Sequence, residues 1–363
     1  MAKPTMFDYV KETPEILRSL INGKPDMPLA QQFAEKKYSH IRIVACGSSR
    51  NAAEIARPFL RHVLRVEVSV TEPYSFCAYE HELPENEFCF VVSQSGYSTN
   101  ALAALDLIRS SNKKAIGVTG DIHSDFSAAS DVLIDYGVGE EQVGYVTKGV
   151  TSLAVFLMLF ALDAAVLKNG ISQKEVSEYE QLIEQTIHSF EQVIDSTANV
   201  ISKRYKELSS MDRVFLIGAG ANYGIAREGA LKFGECLQFP AIAYELDEYL
   251  HGPNLQLDPN YTIFVNVVGE IDHKRAEQII QATRLVTDKV FVLSDKDLDG
   301  MTDILIDSKL DSLCGPVALL PFYQISAWKL TEDKHLWHKH PLVAQFDHAL
   351  SGKSENYVDK EVL

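Results

Sequence analysis

Short runs of β-branched and aromatic residues alternate with longer stretches whose apolar positions recur every three or four residues. In the first half, Ile41–Ala45, Phe88–Val92, Lys114–Val118 and Val132–Ile134 read as strands, with Asn51–Val63 and Thr99–Ser110 as helices between them. Parallel strands need a long crossover that a helix fills, so this alternation predicts a parallel α/β sheet. An apolar stretch, Gly149–Leu167, and a charged amphipathic one, Gln173–Leu208, then interrupt it. The run Leu153–Leu162 stops at Asp163, which is too short to cross a bilayer and predicts a buried helix. Beyond it the alternation resumes. Asp212–Gly218, Thr262–Val268, Lys289–Leu293 and Asp303–Ile306 read as strands, and Ile225–Leu237, His273–Thr287 and Pro321–Leu330 as helices.

The two halves overlay. Val44-Ala-Cys-Gly-Ser-Ser-Arg-Asn51 lies over Leu216-Ile-Gly-Ala-Gly-Ala-Asn222, with Gly47 opposite Gly218 or Gly220, and Val92–Gly96 lies over Val265–Gly269. Both offsets fall at 171–173 residues, which predicts two copies of one unit. The expected fold class is α/β, with two tandem doubly wound, flavodoxin-like parallel sheets. The expected boundaries are 1–170 for the first domain with its N-terminal helices, 171–205 for a linking helix, 206–335 for the second domain and 336–363 for a C-terminal tail.

Composition adds exclusions. With 46% hydrophobic and 23% charged residues, the 363-residue chain is globular rather than disordered or fibrous. The 34 Lys and Arg against 50 Asp and Glu leave a net charge of −16, which argues against a nucleic-acid partner. Met1–Asp8 carries one lysine and no apolar core, so no signal peptide and no membrane partner are expected. Five scattered cysteines without a CxxC pair predict reduced thiols, no cysteine metal site and a cytoplasmic protein.

Only the first half has hydroxyls where its strands end: Ser48, Ser49, Ser93, Ser95, Ser98 and Thr99, against Ala219, Ala221, Val267 and Val268 in the second. Ser93-Gln-Ser-Gly-Tyr-Ser-Thr99 follows an apolar strand and opens a helix. Such a turn is either a helix cap or an anion site built from hydroxyls and backbone amides at a positive helix end. Two of them at the carboxyl edge of one sheet favour a phosphorylated ligand. No P-loop motif occurs, and the Gly218-x-Gly220-x-x-x-Gly224 spacing is a poor dinucleotide fingerprint, so no cofactor is expected. In the second half, Glu228, Lys232 and Glu235 share one helical face. They form either a surface salt-bridge stripe or, because Ala230, Leu231, Phe233 and Leu237 crowd the helix, a buried functional group. His251, before Gly252-Pro253, is either a surface residue or a proton-transfer group working with a glutamate. His335, His338 and His340 lack a carboxylate at ligand spacing, and no metal is expected.

Together, Cys46-Gly-Ser-Ser49, Ser93-Gln-Ser-Gly96, Glu141 with Thr147-Lys148, Glu228-Gly-Ala-Leu-Lys-x-x-Glu235 and His251-Gly-Pro253 resemble double sugar-isomerase-domain (SIS) proteins. The chain is similar to the isomerase half of glutamine–fructose-6-phosphate aminotransferase and to fructosamine and fructoselysine 6-phosphate deglycases. That resemblance implies a phosphate held by Ser49, Ser93, Gln94, Ser95 and Ser98. It implies sugar contacts from Cys46, Gly47, Ser48, Glu141, Val146 and Lys148. Glu235 would move the proton between C1 and C2, with Lys232 as its cationic neighbour. His251 would act as the acid, reaching the site across a homodimer, and Lys353 would come from the tail.

Two departures stand out against the family pattern. Val146 stands where the synthase has a serine, and Leu350-Ser-Gly-Lys353 carries one residue more than the family's Leu-Ala-Lys. No cysteine precedes Cys46, so glutamine-dependent synthesis is not expected. The expectation is a hydrolytic deglycase of a 6-phosphorylated fructosamine. Its alternatives are an amino-sugar phosphate deaminase or aldose–ketose isomerase using the same residues, and a non-catalytic sugar-phosphate sensor. Asp247 and Glu248, near His251, are candidates to select a cationic amine.

Overall fold

A computed structural model describes residues 3–298, 300–338 and 340–358. The chain divides into two compact units. One contains Glu15–Ser177 together with the tail from His338 onward, and the other contains Glu178–Trp337 together with Thr5–Pro14.

The first unit is built on β1 (His40–Val44), β2 (Glu67–Thr71), β3 (Glu87–Ser93), β4 (Ile116–Thr119) and β5 (Val132–Asp135), paired in the order β2-β1-β3-β4-β5, all parallel. The helices up to the second sheet are α1 (Met6–Gly23), α2 (Met27–Ala34), α3 (Gly47–Leu64), a short α4 (Pro73–Ser75), α5 (Thr99–Ser110), α6 (Phe126–Ala129), α7 (Lys148–Leu167), α8 (Gln173–Lys203) and α9 (Tyr205–Ser209). The unit boundary at Ser177 falls within α8, and the boundary at Pro14 falls within α1. The expected separate linking helix is therefore α8 followed by the short α9, and most of α8 is counted with the second unit.

The second unit repeats the plan with β6 (Val214–Gly218), β7 (Ala241–Glu245), β8 (Thr262–Val267), β9 (Val290–Ser294) and β10 (Ile304–Leu305) in the order β10-β9-β8-β6-β7. Read from its other edge, this is the order of the first sheet. Its helices include α10 (Ala221–Leu237), α11 (His273–Arg284) and α12 (Leu320–Lys334), and α13 (Pro341–Ala349) lies in the tail.

The offset between the copies is 174 residues: 214 − 40 for the first strands, 241 − 67 for the edge strands and 221 − 47 for the helices that follow the first strands. Gly47 therefore corresponds to Ala221, not to Gly218 or Gly220. The overlay on glycines slipped because those glycines do different work. Gly220, at φ 53°, is the N-cap of α10, whereas Gly47, at φ 58°, is already the first residue of α3.

Central strands are apolar on both faces, as parallel sheets covered by helices require. All residues of β3, β4, β6, β8 and β9 are buried. β2 and β7, absent from the strands expected from sequence, are the half-exposed edges of their sheets. The first core packs Val44, Phe76, Val91, Ala104, Leu105, Ile108 and Phe126, and the second packs Phe215, Ile217, Tyr249, Ile263, Val265, Ile279 and Val292. Each such side chain contributes about 1.5–3 kcal/mol on burial.

α7 overturns one expectation of length. As one continuous helix of 20 residues it is long and apolar enough to cross a membrane, yet 89% of its most apolar stretch is buried inside the protein. Phe160 on this helix sits among Phe33, Phe88 and Phe90. α7 is therefore a core helix of the first unit.

Candidate functional site

The Ser93–Thr99 turn forms because β3 ends at Ser93 and α5 begins at Thr99, with five residues to reverse direction. Gly96 makes the reversal possible. Its φ is 67°, and a Cβ there would meet Ser124 Oγ at 1.8 Å, so no larger residue fits without displacing Ser124. Ser93 Oγ accepts from the Gly96 amide at 3.2 Å and donates to Ser98 Oγ at 3.3 Å, and Ser95 Oγ accepts from the Tyr97 amide at 3.4 Å. Ser98 is the N-cap of α5, and its hydroxyl makes no cap bond to the helix. Three hydroxyls are thereby gathered at a positive helix end.

The tail supplies the cation. Thr99 N donates to Gly352 O at 3.1 Å and Ser354 N to Tyr97 O at 2.9 Å, laying the tail antiparallel against the turn at Ser98 and Lys353. Lys353 Nζ then donates to Ser95 Oγ at 2.7 Å and to Ser98 Oγ at 3.3 Å. Tyr97 and Tyr357 pack ring to ring at 5.7 Å, and Asn356 bonds Asp125 at 2.9 Å. Burial lowers the Lys353 amine below the ordinary lysine range, with the Cys46 thiol acting in the opposite sense. The residue more in Leu350–Lys353 leaves this lysine on the turn's hydroxyls.

The neighbouring helix α3 takes in Gly47, Ser48 and Ser49 as its first turn, four residues earlier than the sequence pattern indicates. Ser48 and Ser49 are therefore helix residues rather than the end of β1. Cys46 is the N-cap, partly buried, with its sulfur 3.6 Å from Asn100 Nδ2.

Glu141, expected to touch a sugar, is held from four sides. Its Oε1 accepts from the Thr147 and Lys148 amides at 2.6 and 2.9 Å, and its Oε2 from Gln94 Nε2 at 2.6 Å and the Gly149 amide at 3.3 Å. It is the anion that occupies the N-terminus of α7. Burial pushes its carboxyl above the ordinary glutamate range, and the four donors act against that rise. Lys148 is buried in the first turn of α7, and Val146 is half-buried just before that turn. Thr119 and Gly120, at the end of β4, hold the main-chain oxygen of Gln94 by bonds of 3.3 and 3.0 Å. Sequence reading missed this support, and its only signal was the Thr-Gly that ends a strand.

In the second unit, α10 carries Glu228 and Lys232 fully buried, with the Glu235 side chain 26% exposed. Lys232 Nζ lies 3.4 Å from Glu228 and donates to Glu235. Burial alone would lower the Lys232 amine, but the carboxylates of Glu228 and Glu235 more than offset it and hold it above the ordinary range. Of the two readings of this stripe, the buried one holds for Glu228 and Lys232. The result is a fixed cation beside a carboxylate that still meets solvent.

His251 is exposed, at the end of a short 3₁₀ turn (Glu248–Leu250) and before Gly252 at φ 123°. Asp247 is engaged by Arg275 at 2.7 Å, which weakens its candidacy for selecting an amine. His335 and His340 are capping residues. His335 ends α12 at φ 56°, and His340 Nδ1 accepts from the Leu342 amide at 3.2 Å. Among the described residues no group of three His, Cys, Asp or Glu is placed to hold a metal. At the carboxyl edge of the second sheet a carboxylate of the chain itself takes the donors. Asp295, whose side chain is fully buried, accepts from Gly269 N and Leu310 N and pairs with His273 at 2.8 Å.

Comparison with known proteins bears on the family and the fold. The SIS domain model matches residues 32–162 and 207–299. The chain is 24% identical over 348 residues to the glutamine–fructose-6-phosphate aminotransferase (isomerizing) of Thermotoga maritima, covering 92% of this chain and 57% of that protein. It is 29% identical over 276 residues to the same enzyme of Caldanaerobacter subterraneus, covering 74% of this chain and 45% of that one. The chain thus spans about half the length of the curated relatives it matches. In fold it is similar to the C-terminal domain of glucosamine-fructose-6-phosphate aminotransferase from Francisella tularensis, with a TM-score of 0.81 at 23% identity over 94% of this chain and 98% of that one. It is also similar to glucosamine-6-phosphate deaminase from Thermotoga maritima, with a TM-score of 0.72 at 21% identity over 91% and 94%.

Proposed function

The chain belongs to the SIS domain family, and on that footing we propose that it is an enzyme of phosphosugar amines, a hydrolytic deglycase of 6-phosphorylated fructosamines. One observation carries the phosphosugar part. The Lys353 ammonium lies among the hydroxyls of Ser95 and Ser98 at the N-terminus of α5, an arrangement suited to a multiply charged oxyanion. The Glu228–Lys232–Glu235 group supports the enzyme part, because a partly exposed carboxylate beside a buried ammonium is a poised proton carrier.

In this reading Ser49, Ser93, Ser95 and Ser98, with Lys353 and Gln94 through its main-chain amide, anchor the phosphate. Glu235 removes a proton from C1 of the ketoamine and returns it to C2 while the amine's N–H proton passes to the C2 oxygen, turning the C2 carbonyl into a hydroxyl and the C1–N bond into a Schiff base. Water adds to C1, and the C1–N bond breaks with its electron pair leaving on nitrogen. His251, delivered from a second subunit of a homodimer, protonates that nitrogen. The products are an aldose 6-phosphate and the free amine. No cofactor takes part.

The test is mass spectrometry of products from purified protein incubated with a panel of 6-phosphorylated fructosamine amino acids and with glucosamine 6-phosphate. Release of an amino acid with a hexose 6-phosphate supports the deglycase. Ammonia from glucosamine 6-phosphate alone moves the reading to a deaminase. Saturable sugar-phosphate binding without turnover makes the protein a sensor.

A further inference from the structure

Gln94 sits in the serine turn, but its side chain is governed from elsewhere. Glu141 Oε2 accepts from the Gly149 amide and so presents lone pairs to its other neighbour, which must be the Gln94 NH₂ at 2.6 Å. The amide is clamped from the other side as well. A Cβ at Gly149 would meet Gln94 Nε2 at 2.3 Å and Oε1 at 2.8 Å, so only glycine leaves room for the amide. With the nitrogen committed to Glu141, the carbonyl Oε1 takes the other position of the amide, where it is buried and has no partner among the described residues. A buried acceptor without a donor is costly in a finished structure, and a ligand hydroxyl would satisfy it.

We propose that Glu141 is a positioning residue that fixes the Gln94 amide in one of its two flips, so that Gln94 Oε1 accepts a hydroxyl of the ligand. The site then prefers a sugar phosphate to bare phosphate. This rests on the phosphosugar reading above and adds a source of selectivity to it. Charge and serine hydroxyls recognise any phosphate, whereas a fixed acceptor beside them recognises the polyol that carries it.

Titration calorimetry with fructose 6-phosphate and with inorganic phosphate tests the proposal on wild type, Glu141→Gln, Gln94→Leu and the double variant. In Glu141→Gln a new NH₂ group faces Gln94 and turns its amide over. The preference for fructose 6-phosphate is expected to fall about tenfold, the worth of one hydrogen bond, while inorganic phosphate binding stays within a factor of two or so. Gln94→Leu should lose the same preference, and the double variant no more than either single one. An unchanged preference in Glu141→Gln, or losses that add in the double variant, overturns the positioning role. Should Glu141→Gln fail to fold, Gln94→Leu decides alone, and retained preference there overturns the proposal. Wild-type protein that binds no fructose 6-phosphate removes the phosphosugar reading itself, a result distinct from the others.

Discussion

The Lys353 ammonium donates to the Ser95 hydroxyl across 2.7 Å, although 258 residues separate them in the chain. That bond places the positive charge of a polar tail on the hydroxyls of a turn made in the first third of the sequence. It gives a set of neutral hydroxyls a formal positive charge beside them.

Replacing Lys353 with Met should weaken binding of inorganic phosphate and of hexose 6-phosphates about 10- to 100-fold, the worth of a charge-assisted hydrogen bond. Calorimetry reads this directly. Because burial lowers the amine's pKa, phosphate affinity should also decline with rising pH earlier than an ordinary lysine would cause, and the Met variant should lack that decline. Equal affinity in both proteins would remove Lys353 from the site.

Lys232→Met should destabilise the second unit. It removes the buried cation beside Glu228, which is itself fully buried, and the neighbour of Glu235. Removing one partner of a buried ion pair costs about 3–5 kcal/mol, visible as a lower urea midpoint at neutral pH. Recovery of most of that loss is expected in Lys232→Met/Glu228→Gln, where the buried carboxylate is gone too. A midpoint that does not move in the single variant would show that the pair carries no net stability.

Glu235→Gln should abolish turnover while leaving phosphate binding intact. If His251 acts across a homodimer, mixing inactive Glu235→Gln with inactive His251→Ala, with subunit exchange, should restore about a quarter of wild-type activity. Half of the random dimers are mixed, and each of those has one complete site. Mixtures that stay inactive despite verified exchange would place both residues in one chain's site.

Asp26 predicts a pH dependence of stability. It is buried next to Asp163, and burial, reinforced by that neighbouring carboxylate, raises its pKa from 3.8 to about 7. Lys24 bonds Asp163 at 3.1 Å and offsets part of the repulsion. Between about pH 4 and about 7 the native protein keeps a proton that the unfolded chain has released. Stability therefore falls as pH rises through that window and levels off above it. Urea midpoints at pH 5 and pH 8 should differ less in Asp26→Asn than in wild type, and an equal difference would contradict the assignment.

Much of this was legible because burial on both faces writes itself plainly into a sequence. Phe88–Val92 is an unbroken apolar run and Ile263–Val268 is interrupted only by Asn266, and the structure has β3 and β8 there. Glu67–Thr71 and Ala241–Glu245 were missed because an edge strand shows water one side and dilutes its apolar pattern with Glu67, Ser69 and Glu245. Ser93-Gln-Ser-Gly96 stood out because a strand end and a helix start frame its hydroxyls, a pattern open to a helix cap or an anion site, and the structure has β3 end and α5 begin there. The place of Lys353 on that turn could not be read from the residues, since nothing local ties a polar tail to a loop so distant in the chain. Glu141 was named for a different task. Sequence shows an acid at a helix start but not which side chain takes its second oxygen.

The clasp between tail and turn also sets a timetable. Ser93, Ser95 and Ser98 leave the ribosome long before Lys353, and most of the second unit is made in between. The first sheet has all its strands early in translation, and domains tend to fold in that order. The ammonium that bonds its Ser95 and Ser98 hydroxyls nonetheless follows the second unit in the chain. Until Lys353 has followed the second unit, a nascent chain holds the hydroxyls of the turn without the ammonium that bonds them.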